Sequence, residues 1–303
     1  MRIAVTGRHG QVAQALIERA AATGHVVVPV SRPALDLADD DAAGVLAALA
    51  AARPDAIVSA AAYTAVDRAE SERDLAFAIN GRGANLVAQA ARTLGVPLLH
   101  LSTDYVFAGD ASGPYTEMDV CAPQGAYGAS KWVGEQAVLA THQNCVVLRT
   151  AWVISPFGAN FVRTMLRLAA TREEIGVVSD QIGNPTDAFA IADALFMIAQ
   201  TLLGSADPAL RGVFHMACQG ETSWAGLAAE VFRASEALAG PAARVTPILT
   251  ADYPTAARRP ANSRLNCARL LKIHGVALPH WQHAIPPMVA RLIAADHNQE
   301  CVV

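Results

Sequence analysis

Short apolar runs alternate with alanine- and leucine-rich stretches along the first 150 residues. The apolar runs lack polar alternation, which is typical of strands that are buried on both faces of a parallel sheet. We predict strands at residues 3–6, 26–30, 56–59, 97–102 and 146–149. Because helical stretches separate these strands, the pattern predicts an α/β domain with a doubly wound parallel sheet.

Helices are predicted between the strands at 45–52 and 127–140, and over a long stretch from about 67 to 94. Gly81 and Gly83 lie inside the long stretch, where glycine is a weak helix former. We therefore expect the helix to be interrupted at these two glycines.

The pattern is looser after residue 150. Helical stretches are predicted near 160–170, 187–203, 223–238 and 280–295, with short strands near 175–178 and 213–216. We expect residues 1–150 and a returning segment at about 187–218 to form one domain. Residues of about 151–186 and 219–303 would then form a smaller α/β substrate-binding domain.

Composition narrows the class of protein. With 53% hydrophobic and 17% charged residues, the 303-residue chain is globular, and a net charge of −4 disfavours a nucleic-acid partner. No apolar run is long enough to span a membrane, and the N-terminus begins a strand rather than a signal peptide. Five scattered cysteines without a C-x-x-C pattern favour a reducing cytoplasm over a disulfide or zinc framework.

A glycine turn follows the first predicted strand and opens the first helix. Gly7, Gly10 and Ala13 form the pattern G-x-x-G-x-x-A. Glycines at such a turn let the backbone approach a pyrophosphate, which is held at the helix N-terminus. The turn indicates a dinucleotide-binding domain of the Rossmann type, although a tight strand–helix turn also favours glycine.

The end of the second strand bears on the choice of cofactor. Ser31 and Arg32 follow Val30, where an NAD-binding chain would carry an acid. A hydroxyl and a guanidinium suit the 2′-phosphate of NADPH, so NADPH is favoured and NADH use is not excluded. The alternative is that Arg32 is merely solvated. Asp36 and Leu37 would border the adenine.

Tyr127 and Lys131 are the candidate catalytic pair. They are four residues apart on a predicted helix, so their side chains are neighbours, and the ammonium is expected to lower the phenol pKa. Thr103 and Asp104 follow a strand end, where ligand sites of such sheets lie. Together these residues predict a reductase, against the alternative of an ordinary exposed helix start.

Two further features point to a substrate. Arg258, Arg259 and Arg264 form a local basic cluster that could hold a diphosphate, or could be a surface salt-bridge cluster. Trp152 follows a predicted strand end, where its ring could stack on a sugar or base, or simply pack in the core.

Several strings of residues resemble one known family along nearly the whole chain. These are S-T-D-Y-V-F at 102–107, Y-G-A-S-K at 127–131, R-T-A-W-V at 149–153 and R-R-P-x-N-S-R-L at 258–265. The chain resembles the dTDP-4-dehydrorhamnose reductases of the extended short-chain dehydrogenase/reductase superfamily. The resemblance implies NADPH-dependent reduction of the 4-keto group of dTDP-4-dehydrorhamnose to dTDP-L-rhamnose.

The resemblance also implies roles for single residues. Tyr127 would donate the proton, Lys131 would hold the nicotinamide ribose and tune Tyr127, and Thr103 and Asp104 would contact the sugar. Further substrate-binding residues would be Trp152, Asn160, Arg258, Arg259 and Arg264. The residues that would line the cofactor are Gly7, His9, Gly10, Gln11, Val12, Ser31, Arg32, Asp36, Leu37, Ala62, Tyr63, Thr64 and Leu101, besides Tyr127 and Lys131.

One departure from the family concerns Mg²⁺. Some members bind this ion through glutamates at a dimer contact, but the matching positions here are Ala15 and Phe189. Neither side chain offers the oxygen donors that Mg²⁺ requires, so we expect no metal. Both a monomer and a homodimer remain open.

Three alternatives remain at this point. A 4-ketoreductase for another nucleotide deoxysugar would share these motifs, and a non-catalytic NADP-binding regulatory protein could share the fold. A regulator would not need Thr103, Tyr127 and Lys131 together. An epimerase or dehydratase is also conceivable, although Asp104 is followed by Tyr105 rather than by the second acid that a dehydratase would need.

Overall fold

The computed structural model describes residues 1–300, with side chains described for residues 1–295. Its strands are β1 (Arg2–Thr6), β2 (Val26–Val30), β3 (Ala56–Ser59), β4 (Leu98–Thr103), β5 (Cys145–Thr150), β6 (Val153–Ile154), β7 (Glu174–Val178), β8 (Ile182–Gly183), β9 (Thr186–Asp187), β10 (Gly212–His215), β11 (Thr222–Ser223), β12 (Arg244–Ile248) and β13 (Asn262–Ser263). The five strands predicted before residue 150 are confirmed as β1 to β5, with ends that agree within one residue.

Parallel pairing joins six of these strands into the main sheet of the described chain, in the order β10-β5-β4-β3-β1-β2. The predicted doubly wound sheet is therefore confirmed. The chain runs outward from β1 to β2 and then crosses to β3 on the other side of β1. Ligands of such sheets bind at the carboxyl ends of the strands on either side of this reversal, here β1 and β3.

The helices are α1 (Gln11–Thr23), α2 (Ala42–Ala51), α3 (Arg73–Phe77), α4 (Ala84–Leu94), α5 (Ala126–Thr141), α6 (Phe161–Ala169), α7 (Ala188–Gly204), α8 (Trp224–Glu236), α9 (Ala268–His274) and α10 (Ile285–Glu300). Each predicted helix of the first 150 residues has a counterpart among them. Among the described residues, no helix combines the length and the apolar character needed to cross a membrane.

The α-helix is interrupted at Gly81 and Gly83, as expected, but the interruption is π-helical. A π-helical segment, Ala78–Gly83, connects α3 to α4 and keeps the chain helical. The glycines allow close packing there, because a Cβ atom at Gly83 would lie 2.6 Å from the carbonyl oxygen of Leu37. One at Gly81 would lie 3.2 Å from Val133.

The segment predicted to return to the first domain lies on the main sheet. Strand β10 pairs with β5 at the sheet edge, and α7 packs against α1. The remaining strands after β5 form small sheets, such as β11-β8-β13 and the pair β12-β7. One apolar core includes residues of both parts, from Ile3 to Leu292, so the domain boundaries stay a prediction. Residues 301–303, with Cys301, lie outside the described residues.

Glycine at position 134 lets α5 contact the π-helical segment. A Cβ atom at Gly134 would collide with the backbone carbonyl of Asn80. We expect Gly134→Ala to lower the free energy of unfolding by about 1–3 kcal/mol, because the helix must move away from its neighbour. Gly204→Ala is the matched control, since Gly204 is an exposed helical glycine with open space around it. Equal stability of the two variants in urea unfolding would contradict the close packing.

Candidate active site

The start of α5 is held against two neighbouring segments. The backbone N–H of Ala126 donates a hydrogen bond of 2.7 Å to Glu70 Oε1. A Cβ atom at Gly128 would collide with the carbonyl oxygen of Tyr105, so only glycine fits at this helix position. These contacts fix the first turn of α5, which carries Tyr127, directly beside the carboxyl end of β4.

Burial determines the protonation of Tyr127. Removal of the phenol from water raises its pKa above the ordinary value of 10.0, and the charge of Asp104 raises it further. A hydrogen bond with the Thr103 hydroxyl acts in the opposite direction but is weaker. Tyr127 is therefore protonated at neutral pH. This reverses the direction expected from Lys131, because burial outweighs the other influences and the ammonium is directed elsewhere.

Lys131 is 3% exposed, and its Nζ donates a hydrogen bond of 2.7 Å to the carbonyl oxygen of Leu101. Burial lowers the pKa of Lys131 to about 8, while the charge of Glu135 opposes this shift. The ammonium is therefore mostly charged at neutral pH. Its contact with Leu101 fixes it one helical turn after Tyr127, at the end of β4.

Thr103 and Asp104 form the opposite side of the site. Thr103 Oγ1 donates a hydrogen bond of 2.9 Å to Asp104 Oδ1 and accepts one of 3.2 Å from the backbone N–H of Tyr105. Burial raises the pKa of Asp104 to about 6, although hydrogen bonds from Thr103 and Ser263 lower it. Among the described residues, Asp104 Oδ2 has no hydrogen-bond partner and can accept one from a ligand.

The glycine turn fits a bound pyrophosphate. Gly7 has a φ of +87°, and its N–H donates a hydrogen bond of 2.8 Å to the carbonyl oxygen of Val30. Gly10 precedes α1 without a side-chain cap, no acid lies in the first turn, and open space surrounds its Cα. A helix N-terminus of this kind attracts an anion through its free N–H groups.

Neighbouring residues of the turn make different contacts. His9 is exposed. Val12 is buried in the core, so only the backbone of Val12 can face a cofactor. The Gln11 side chain accepts a hydrogen bond of 2.7 Å from Ser155 and donates one of 3.2 Å to the carbonyl oxygen of Val153. Gln11 thus connects the turn to the chain that follows β6.

The loop after β3 faces the glycine turn and depends on Asn80, to which the sequence assigned no role. Asn80 Oδ1 accepts a hydrogen bond from the N–H of Tyr63, and its Nδ2 donates to the carbonyl oxygen of Tyr63 and to Ser130 Oγ, all at 2.8–3.0 Å. Asn80 therefore fixes the loop of Ala62, Tyr63 and Thr64 to α5. The signal in the sequence was an asparagine directly before Gly81 in the predicted helical stretch.

Residues after β2 lie at the outer end of this crevice. The Arg32 side chain is 79% exposed and lies 3.7 Å from the carboxylate of Asp36. Ser31 is half-buried, and Leu37 is buried in the apolar core. Arg32 can therefore turn toward a phosphate at little cost, because a solvated ion pair is weak.

The three arginines of the predicted cluster differ in their contacts. Arg259 Nη2 lies 2.5 Å from the Asp67 carboxylate, and Arg264 Nη1 lies 3.2 Å from that of Glu221. Arg258 is exposed, and within the described part of the chain it makes one hydrogen bond, of 3.4 Å to Gln124. The cluster is therefore partly the salt-bridge arrangement that the sequence left open. Arg258 and Arg259 line a cleft of about 460 Å³ together with Asp110, Asp180 and Tyr253.

Trp152 and Asn160 are engaged within the protein. The Trp152 ring stacks on Trp224 at 3.6 Å between ring centroids, and it lies against Gly183. Asn160 caps α6 by accepting a hydrogen bond of 3.2 Å from the Arg163 N–H, while it donates one of 2.7 Å to the carbonyl oxygen of Ser155.

The two positions considered for Mg²⁺ carry no ligand. Ala15 is fully buried, and Phe189 packs against Phe157 and beneath the guanidinium of Arg19. Within the described part of the chain, no group of three or more His, Cys, Asp or Glu side chains is arranged to hold a metal ion.

Comparisons with known proteins agree with this geometry. A family model described as the RmlD substrate binding domain matches residues 1–294. The dTDP-4-dehydrorhamnose reductase of Sinorhizobium fredii is 47% identical over 293 residues, which cover 97% of this chain and 98% of that protein. The enzyme of the same name from Burkholderia thailandensis is 42% identical over 300 residues, covering 97% and 100% of the two chains.

Solved structures resemble the fold over nearly its whole length. A dTDP-4-dehydrorhamnose reductase from Clostridium acetobutylicum superposes with a TM-score of 0.88 at 33% identity, covering 96% of this chain and 99% of that chain. One from Bacillus anthracis, in complex with NADP, gives a TM-score of 0.86 at 36% identity, covering 95% and 98%.

The position of Arg32 generates a prediction about cofactor choice. We expect a higher kcat/KM with NADPH than with NADH, and we expect Arg32→Ala to narrow the gap. A charge-assisted phosphate contact of ~1.5–3 kcal/mol corresponds to roughly a 10- to 100-fold preference. Arg172→Ala, which removes the same charge from an exposed position between α6 and β7, is the control. Equal efficiency with both cofactors in the unaltered enzyme would refute the prediction.

Proposed function

The chain belongs to the RmlD substrate binding domain family, and we propose that it reduces dTDP-4-dehydrorhamnose to dTDP-L-rhamnose with NADPH. The observation that carries this proposal is the convergence of Tyr127, Thr103 and Lys131 at the carboxyl end of β4. These groups lie beside the crevice where the sheet order reverses and where a dinucleotide fits the glycine turn.

When bound, NADPH supplies the hydride that reduces the 4-keto carbon of the sugar. The carbonyl oxygen then becomes a strong base, and a proton donor must lie within about 2.6–3.2 Å of it. Tyr127 meets this need because its raised pKa keeps the phenol protonated at neutral pH. Thr103 would donate a second hydrogen bond to the sugar oxygen, for which its hydroxyl must turn away from Asp104 Oδ1.

Lys131 would hold the nicotinamide ribose through its two remaining N–H donors, because the third donates a hydrogen bond to the carbonyl oxygen of Leu101. As a buried ammonium that is still mostly charged, Lys131 would also favour the phenolate as the proton leaves. Both roles stay predictions that the Lys131→Met variant below addresses.

The substrate would be held on the other side of Tyr127. Asp104 Oδ2 is a buried acceptor without a partner among the described residues, which suits a sugar hydroxyl. Arg258 is the least engaged arginine at the cleft, so we propose it as the principal contact of the diphosphate. Trp152, Asn160 and Arg264 make contacts within the protein, and any direct role of theirs in binding stays a prediction.

The proposal extends to the cellular compartment, the oligomeric state and the use of metal. The four described cysteines are free thiols, which supports a reducing cytoplasm. The choice between a monomer and a homodimer stays open, and we propose no metal requirement.

The main competing proposal is a 4-ketoreductase of the same fold that acts on another nucleotide deoxysugar. A panel of 4-keto sugar nucleotides, assayed by NADPH oxidation, separates the two. We expect the highest kcat/KM with dTDP-4-dehydrorhamnose, because both curated relatives described above bear that activity in their names. A higher kcat/KM with another 4-keto sugar would overturn the substrate assignment. No oxidation with any of them would favour a regulatory protein.

The proton donor is tested by Tyr127→Phe. General acid catalysis contributes about 10²–10⁴-fold, so we expect kcat to fall by that factor while the NADPH dissociation constant changes little. Lys131→Met should impair both kcat and NADPH binding, because the ammonium would also hold the ribose. Near-normal turnover by the Phe variant on the best substrate of the panel would exclude Tyr127 as the acid.

A further inference from the structure

Arg259 joins two parts of the chain that are far apart in sequence. Its Nη2 donates a hydrogen bond of 2.5 Å to Asp67 Oδ2, and its Nη1 donates one of 3.1 Å to the Tyr105 hydroxyl. Asp67 lies in the segment after β3, whereas Tyr105 directly follows β4. One guanidinium thus connects the C-terminal segment to both sides of the candidate active site.

The second carboxylate oxygen of Asp67 strengthens this connection. Asp67 Oδ1 accepts a hydrogen bond of 3.1 Å from the backbone N–H of Ala257. The carboxylate therefore binds both the side chain and the backbone of the segment 257–259. Both oxygens of Asp67 are therefore engaged, so the carboxylate is held in one position although it is partly exposed.

Tyr105 carries the contact onward to Tyr127. The two rings meet edge to face, with their centroids 5.6 Å apart and an interplanar angle of 74°. The carbonyl oxygen of Tyr105 also lies against Gly128, the residue next to Tyr127. Any rotation of the Tyr105 ring or shift of its backbone therefore changes the position of the Tyr127 phenol.

We propose that Asp67, Arg259 and Tyr105 form a latch that positions the Tyr127 phenol for proton transfer. This inference rests on the proposed function, in which Tyr127 is the acid. Asp67 and Tyr105 are positioning residues here, and Arg259 acts through them rather than as the principal diphosphate contact. Its neighbour Arg258 remains available for that contact, since its guanidinium makes one hydrogen bond within the described residues, of 3.4 Å to Gln124.

The latch affects the position of the Tyr127 phenol more than it affects the free energy of unfolding. The Arg259 and Asp67 side chains are 22% and 45% exposed, and an ion pair with this much solvent contact contributes little to the free energy of unfolding. Misplacement of a reacting group by about 1 Å can lower a rate by about 10²-fold. Loss of the latch should therefore change turnover in a protein that still folds.

A double-mutant cycle tests the proposal. We expect Asp67→Asn and Arg259→Gln each to lower kcat by about 10- to 100-fold, with KM within a factor of about two, because only the position of the acid changes. The double variant should be no worse than the worse single one, since both remove the same latch. Tyr105→Phe, which keeps the ring but loses its bond to Arg259, should lower kcat less than Arg259→Gln does.

Arg258→Gln is the matched control for Arg259→Gln, because it removes a guanidinium charge from the adjacent residue. It is combined with Asp67→Asn in a second cycle. Arg258→Gln should raise KM rather than lower kcat, and its effect on kcat/KM should combine additively with that of Asp67→Asn. The latch is overturned if Asp67→Asn and Arg259→Gln are additive, or if Arg259→Gln acts mainly on KM.

Hydrogen exchange provides a readout that does not depend on the substrate. In the NADPH-bound protein, Asp67→Asn should increase amide exchange at Ala257 and in the first turn of α5, where Tyr127 lies. Arg258→Gln should leave both unchanged. Unchanged exchange at the start of α5 in Asp67→Asn would overturn the latch even if no panel substrate reacts, whereas a failed panel with increased exchange would overturn only the proposed function.

Discussion

Helix α5 lies so close to two neighbouring backbone segments that two of its positions have no room for a side chain. Gly128 faces the carbonyl oxygen of Tyr105, and Gly134 faces that of Asn80. Such contacts cannot adjust by rotation of a side chain, so they set the height and the angle of the helix over β4. This backbone packing determines the positions of Tyr127 and Lys131. The chemistry proposed for the site depends on it more than on any single hydrogen bond.

Polar groups then make the packed arrangement specific. Asn80 joins the loop at Tyr63 to Ser130 on the same helix, and Lys131 reaches back to the end of β4 through Leu101. Buried polar networks of this kind are costly unless every member is satisfied, and in return they favour one arrangement over its alternatives. The proposed cofactor crevice and the proposed proton donor are therefore positioned by one shared set of contacts.

The sequence was sufficient for the sheet and for the placement of Tyr127 and Lys131 on one helix, because both leave short-range signals. Buried parallel strands appear as unbroken apolar runs, and Tyr127 and Lys131 are one helical turn apart. The partners of Arg259 and Arg264 could not be foreseen, since Asp67 and Glu221 are distant in sequence and meet these arginines only in the fold. Burial likewise decides the direction of the Tyr127 pKa, and spacing along the chain carries no measure of burial. The π-helical course of the chain through Gly81 and Gly83 depends on the tertiary contacts of these glycines, which no local rule contains.

The environment of Asp104 has a consequence for the whole molecule. Burial raises the pKa of this carboxyl from its ordinary value of 3.8 to about 6. The folded chain therefore binds the proton more tightly than the unfolded chain, and the contribution of Asp104 to the free energy of unfolding decreases as the pH rises between these two values. Above about pH 6 the full cost of a buried, incompletely paired carboxylate is present. At neutral pH the free energy of unfolding is therefore lower than it would be without an ionised acceptor at the end of β4. Such a loss of stability is common where residues are arranged to bind a ligand rather than to stabilise the fold.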